Sequence, residues 1–115
     1  MSLHMYGIRN CDSIKKARRW LTERDIHYTF HDYKKEPVDA QTLRTWCNQV
    51  GWEKLLNKRG TTWRKLPESD KLELTQARAI ALLVEHTSMI KRPVLIADKK
   101  ILVGFSELEY RELLE

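Results

Sequence analysis

The sequence predicts an α/β fold with a mixed sheet, made of a β-α-β unit, a helical stretch, and a β-hairpin followed by a helix. Three observations carry this. Short apolar or alternating runs, the mark of strands, occur at residues 5–8, 26–31, 94–97 and 101–103. The segment between the first two repeats apolar residues at helical spacing, so a helix links them. Such a unit needs a right-handed crossover and parallel strands, whereas the tight turn between the last two runs makes them antiparallel. The chain has 115 residues, the size of one domain, and residues 5–115 are read as that domain.

In chain order, Met5-Tyr6-Gly7-Ile8 is the first strand. Met1-Ser2-Leu3-His4 is too short and polar for a signal peptide and is read as a leader of cloning origin, outside the fold. Arg9-Asn10-Cys11-Asp12 is a loop, with Asp12 or Ser13 placed to cap the first helix. That helix covers about residues 13–24. Ile14, Ala17, Trp20 and Leu21 form its apolar face, and Lys15, Lys16, Arg18 and Arg19 its wet one. Ile26, Tyr28 and Phe30 alternate with polar residues in the second strand. A helical insertion then spans about residues 40–90. It opens behind Asp39 with a helix over about 40–50 that Gly51 ends. Residues 52–56, the basic loop Asn57-Lys58-Arg59-Gly60, a short helix at about 62–66 and a longer one at about 75–85 follow. Ala77, Ile80, Ala81 and Val84 are the expected stripe of the last. Val94-Leu95-Ile96-Ala97 is wholly apolar, Asp98-Lys99-Lys100 turns, and Ile101-Leu102-Val103 returns. Ser106-Glu107-Leu108-Glu109 is a capping box that opens the final helix. This element order is that of a thioredoxin-like fold with a helical insertion between its halves. The four tryptophans, Trp20, Trp46, Trp52 and Trp63, are expected in or at the edge of the core.

Composition excludes several classes. Apolar residues make up 42% and charged residues 32%, which is neither disordered nor membranous. No run approaches the ~20 apolar residues of a membrane-spanning helix. Two cysteines, Cys11 and Cys47, are too few for a disulfide-stapled secreted domain, so a reducing cytoplasm and two free thiols are expected. No metal site is expected. There is no Cys-x-x-Cys pair, and His4 and His86 have no ligand-like neighbour. His27 and His31, on one face of a strand, would stand about 13 Å apart. The net charge of +5 fits either a plain basic protein or one with an anionic partner. Direct nucleic-acid binding is not expected, because no aromatic residues interleave with the basic ones on a single strand.

Cys11 follows a strand and precedes a helix. The free amides and positive dipole end of a helix favour an anion there, so a thiolate at that place has a pKa below the ordinary ~8.5. Arg9, Lys15 and Lys16 add positive charge nearby. The thiolate is the nucleophile, which makes Cys11 the candidate catalytic residue; the alternative is a small buried apolar residue. Cys47 lies mid-helix with no activating terminus and is read as structural. Ile14 stands three residues after Cys11, so a dithiol mechanism within that turn is excluded and a second thiol must come from elsewhere. Glutathione, an abundant cytoplasmic thiol whose carboxylates suit a basic site, is the expected co-substrate, and no permanently bound cofactor is expected. A disulfide-containing protein or a small thiol compound is the expected substrate. Arg92-Pro93 precedes the apolar strand. In a thioredoxin-like fold a cis proline at this place faces the cysteine, and its neighbouring backbone pairs with an extended substrate. A cis bond is therefore expected, with Arg92 beside the sulfur as anion clamp or thiolate stabiliser. Arg9, Asn10, Lys58, Arg59 and Pro93 complete the candidate substrate or glutathione site; for Lys58 and Arg59 the alternative is an ordinary solvated loop.

The run from Tyr6 through Cys11-Asp12-Ser13-Ile14-Lys15-Lys16-Ala17 resembles the Cys-x-x-x-Arg/Lys-Lys-Ala opening of the arsenate reductase/Spx (ArsC) family. Leu55-Leu56-Asn57-Lys58-Arg59-Gly60 with Trp63-Arg64-Lys65-Leu66 resembles that family's middle segment, and Ile90-Lys91-Arg92-Pro93-Val94-Leu95 its Arg-Pro strand entry. Within the family the chain looks most like the YffB group, for which a glutathione-dependent thiol reductase role has been suggested. The resemblance implies a thioredoxin-like fold with a helical insertion. It also implies two further activities. Glutathione-coupled arsenate reductases of the family use the cysteine and three arginines. Arg92 matches one; the other two places fall at Asn57, with Arg59 two residues on, and near Gly104. Spx regulators bind RNA polymerase and typically carry a Cys-x-x-Cys switch, which Ile14 breaks.

Overall fold

The computed structural model describes residues 2–115. Their order is β1 (Leu3–Gly7), α1 (Asp12–Glu23), β2 (Thr29–Asp32), α2 (Ala40–Val50), α3 (Trp52–Leu55), α4 (Thr61–Lys65), α5 (Glu68–Lys71), α6 (Gln76–Glu85), a 3₁₀ turn (Thr87–Met89), β3 (Val94–Ala97), β4 (Lys100–Val103) and α7 (Glu107–Leu114). The chain divides into two compact units. One joins the segment ending at Glu36 to Arg92–Glu115, and the other is Pro37–Lys91.

The first unit holds the sheet, in the order β2-β1-β3-β4. β1 runs parallel to β2 and antiparallel to β3, and β3 and β4 form the hairpin. This is the mixed sheet that the element order called for. Leu3 and Met5 of β1 and Leu95 and Ala97 of β3 bury against Ile14, Ala17, Trp20 and Leu21 of α1 and Tyr110 of α7. The α1 stripe is the one its spacing predicts, because only one face of that helix is apolar. Ser106 Oγ accepts from the Glu109 amide at 3.3 Å, as half of the expected capping box.

Boundaries differ where packing overrides pattern. β1 begins at Leu3 rather than Met5, since Leu3 is 5% exposed and pairs with Ala97, so Leu3 and His4 belong to the sheet and not to a leader outside the fold. β2 begins only at Thr29, opposite His4. Ile26 and Tyr28 still lean on the core from the lead-in, which is why they read as strand. His27 therefore lies ahead of the strand, and its supposed shared face with His31 does not exist.

In the second unit the Asp39 carboxylate accepts from the Thr42 amide at 2.8 Å and starts α2, and Gly51 ends it at φ 90°. Leu43, Trp46 and Cys47 are the buried face of α2, which packs on α6. On α6 the buried residues are Ala79, Ile80, Leu82 and Leu83, while Ala77, Ala81 and Val84 are exposed. That helix is apolar nearly all round, so spacing alone selected the wrong face. Leu56 and Ile90 form an antiparallel bridge, and the Lys91 amide donates to the Leu55 carbonyl at 2.7 Å.

Candidate active site

β1 ends at Gly7, and after the three loop residues Ile8, Arg9 and Asn10 the chain reaches the cap of α1. Cys11 is itself the N-cap residue, with extended backbone (φ −150°, ψ 131°), and its carbonyl accepts the first helical bond from the Lys15 amide at 2.9 Å. The cap was expected at Asp12 or Ser13. The shift brings the reactive side chain one position nearer the helix amides. As a thiol, Cys11 closes no capping hydrogen bond. As a thiolate it is stabilised by the N–H groups that face it.

The electrostatic balance follows from these neighbours. Partial burial pushes the Cys11 thiol up. The Ile14 amide, the Arg92 guanidinium as hydrogen-bond donor and as charge, and the Ser13 amide push it down and prevail, so the pKa lies below the ordinary thiol value. Cys11 is partly exposed, as a reacting sulfur must be. Cys47, in the second unit, is buried, and burial raises its pKa. Among the described residues no hydrogen bond or charge offsets that burial.

Arg92 reaches the sulfur from the start of β3, after a loop that ends in a cis Arg92-Pro93 bond, as expected. Pro93 is fully buried, and its carbonyl accepts from the Gly104 amide at 2.8 Å. Gly7 permits the close approach of α1 to this point: a Cβ there would meet Ile14 Cδ1, with Arg92 Cβ 3.9 Å away.

The remaining predicted residues separate. Asn10 is exposed beside Cys11. Arg9 turns to Asp32, at 3.7 Å, and to the Phe30 ring, 5.4 Å from its centroid. Arg92 supplies the charge that acts on the thiolate; Arg9, Lys15 and Lys16 contribute no resolved part of the shift. Lys58 and Arg59 belong to the Pro37–Lys91 unit. There, with Leu56, Asn57 and Lys91, they line a hollow of about 200 Å³, and Lys58 Nζ lies 5.6 Å from the Trp63 ring centroid.

Two features were not visible in the sequence. Tyr33, 3% exposed, donates its backbone N–H to the Gly7 carbonyl at 2.9 Å. Its hydroxyl has no hydrogen-bond partner among the described residues. Burial pushes this phenol far up, against the charge of Arg92. It stays protonated, a donor next to the arginine. The other feature is a chain of side chains. Ser2 Oγ lies 2.9 Å from His4 Nε2, His4 Nδ1 2.8 Å from His31 Nε2, and His31 Nδ1 2.6 Å from Glu36 Oε2. His4 does have a ligand-like neighbour. The parallel pairing of β1 and β2 supplies it, at a separation of 27 residues.

The ArsC family pattern matches residues 6–113. The Spx global transcriptional regulator of Enterococcus faecalis is 31% identical over 97% of this chain and 86% of its own. A solved YffB protein is 47% identical, with a TM-score of 0.97 over 99% of this chain and all of that one. The arsenate reductase of Vibrio cholerae is 18% identical, with a TM-score of 0.86 over 99% and 98%, and shares the thioredoxin-like fold.

Proposed function

Since the chain belongs to the ArsC family, we propose that it is a cytoplasmic thiol reductase with Cys11 as nucleophile and glutathione as the resolving thiol. The observation that supports this most is a half-exposed cysteine at a helix N-cap, beside an arginine, with a lowered pKa. The Cys11 thiolate attacks a substrate disulfide R–S–S–R′. The S–S bond breaks, a Cys11–S–S–R bond forms, and R′S⁻ leaves with the electron pair and takes a proton from water. Glutathione thiolate then attacks the sulfur of R, giving G–S–S–R and returning the Cys11 thiolate. Where R is glutathionyl, the product is glutathione disulfide. A stabilised thiolate helps twice, as attacking group in the first step and as leaving group in the second. Arg92 and the α1 amides hold the anion in both. Arg9, Asn10 and Pro93, in the unit that holds Cys11, are the proposed contacts of substrate and glutathione.

The test is glutathione-linked reduction of hydroxyethyl disulfide, coupled to glutathione reductase and followed by loss of NADPH. Cys11→Ser abolishes turnover and Cys47→Ser keeps it. Equal rates for Cys11→Ser and the parent chain end the reading, and a parent chain without activity ends its glutathione part. Arsenate ranks lower as a substrate, because the places that the family resemblance gives to two further arginines fall at Asn57, with Arg59 two residues on, and near Gly104. The Spx relatives favour a second reading, a protein that binds RNA polymerase; retention of the polymerase from cell extract by the immobilised chain would support it.

A further inference from the structure

The Ser2–His4–His31–Glu36 chain lies outside the thiol chemistry and is independent of it. The Glu36 carboxylate is an acceptor, so His31 carries a proton on Nδ1, and when the ring holds that one proton Nε2 keeps a lone pair. That lone pair points at His4 Nδ1, 2.8 Å away. Two imidazole nitrogens from adjacent strands thus converge, with one shared proton between them. We propose that this pair binds a divalent transition-metal ion of the class that prefers imidazole, copper(II) or zinc, through His4 Nδ1 and His31 Nε2, with water completing the coordination.

The geometry suits such an ion. Two imidazoles on a tetrahedral centre at ~2.0–2.1 Å hold their nitrogens roughly 3.3 Å apart, so the nitrogens part by about half an ångström and each ring turns by roughly 35° to aim its lone pair at the ion. Glu36 fixes the His31 tautomer and makes Nε2 more basic, as carboxylates behind metal-bound histidines do. Tyr6, beside His31 in the β-ladder, stacks on its ring at 4.4 Å and holds its plane. No proton need leave the neutral pair: His4 moves its own from Nδ1 to Nε2, where Ser2 Oγ changes from donor to acceptor. Among the described residues no group of three or more His, Cys, Asp or Glu side chains converges on one point. The ion therefore has two protein ligands, exchanges readily, and follows the order copper(II) over zinc.

The experiment uses the full chain carrying Cys11→Ser, so that the thiolate does not compete, titrated with zinc chloride and separately with copper(II) chloride. Calorimetry shows one ion per chain. Zinc shifts the ring nitrogen resonances of His4 and His31 and leaves those of His27 and His86. His4→Ala and His31→Ala each weaken binding at least ~10-fold, and Glu36→Gln weakens it by about 10-fold or more. No binding of either ion at millimolar concentration overturns the proposal. So do unchanged affinity in His4→Ala or shifts centred on His27 or His86. The ring resonances of the unmutated histidines report the site even if a variant folds poorly.

Discussion

Replacing Gly7 by alanine tests the contact that brings α1 against β1 below the reactive loop. A Cβ at Gly7 would lie 2.3 Å from Ile14 Cδ1 and 3.0 Å from Cγ1, when real Cβ contacts essentially never fall below 3.0 Å. Ile14 is 0% exposed and packed among Ala17 and Leu21, so it has no space to swing into. Overpacking of this kind costs roughly 1–3 kcal/mol. Gly7 does not have a left-handed backbone, so alanine returns about 0.4–1 kcal/mol by restricting the unfolded chain. The net loss is roughly 1–2 kcal/mol, which at this chain length lowers Tm by about 4–8 °C. Ile14→Val removes the Cδ1 atom and alone costs roughly 0.5–1.5 kcal/mol. The chain with both changes should lose about 1 kcal/mol less than the two separate losses combined, because the worst contact is gone. Urea and thermal unfolding of the four chains measures this. A Gly7→Ala chain as stable as the parent, or strictly additive losses, would refute the packing argument.

The remaining predictions concern the sulfur. Arg92→Met removes a donor and a charge that favour the thiolate, so the midpoint of Cys11 alkylation against pH should move up and the rate at neutral pH fall; an unmoved midpoint would take Arg92 out of the site. Folding lowers the Cys11 pKa, so the thiolate stabilises the fold at pH above the ordinary thiol value, and that contribution is lost as pH falls through the folded value. The stability difference between the parent chain and Cys11→Ser should therefore grow as pH rises across this window, and denaturant titrations at several pH values showing a flat difference would contradict it.

Much of this molecule is legible from local pattern. The α1 stripe, Asp39 ahead of α2, Gly51 behind it, the Ser106 N-cap of α7 and the Arg92-Pro93 strand entry are each stated within a few residues, and the structure has them all. Cys11 was legible for the same reason: a strand followed by a loop and a helix fixes where the amides are. The rest depends on what lies across the sheet. Nothing local marks Tyr33 as a neighbour of Arg92, or His4 as a partner of His31, because strand pairing sets both. The face of α6 was misread since its apolar residues surround the helix, and α5 and the 3₁₀ turn are too short to show a period. Arg9 looked like support for the thiolate by position in sequence, but its side chain is turned to Asp32 and Phe30.

The account turns on Cys11 being held as an anion, and site-resolved alkylation across a pH series measures that directly. Mass spectrometry of peptides from briefly iodoacetamide-treated protein separates the two sulfurs. Cys11 should label with a midpoint below that of a free cysteine peptide, and Cys47 more slowly than that peptide at every pH. A Cys11 that titrates with the free peptide, or labels no faster near neutrality, would contradict the mechanism.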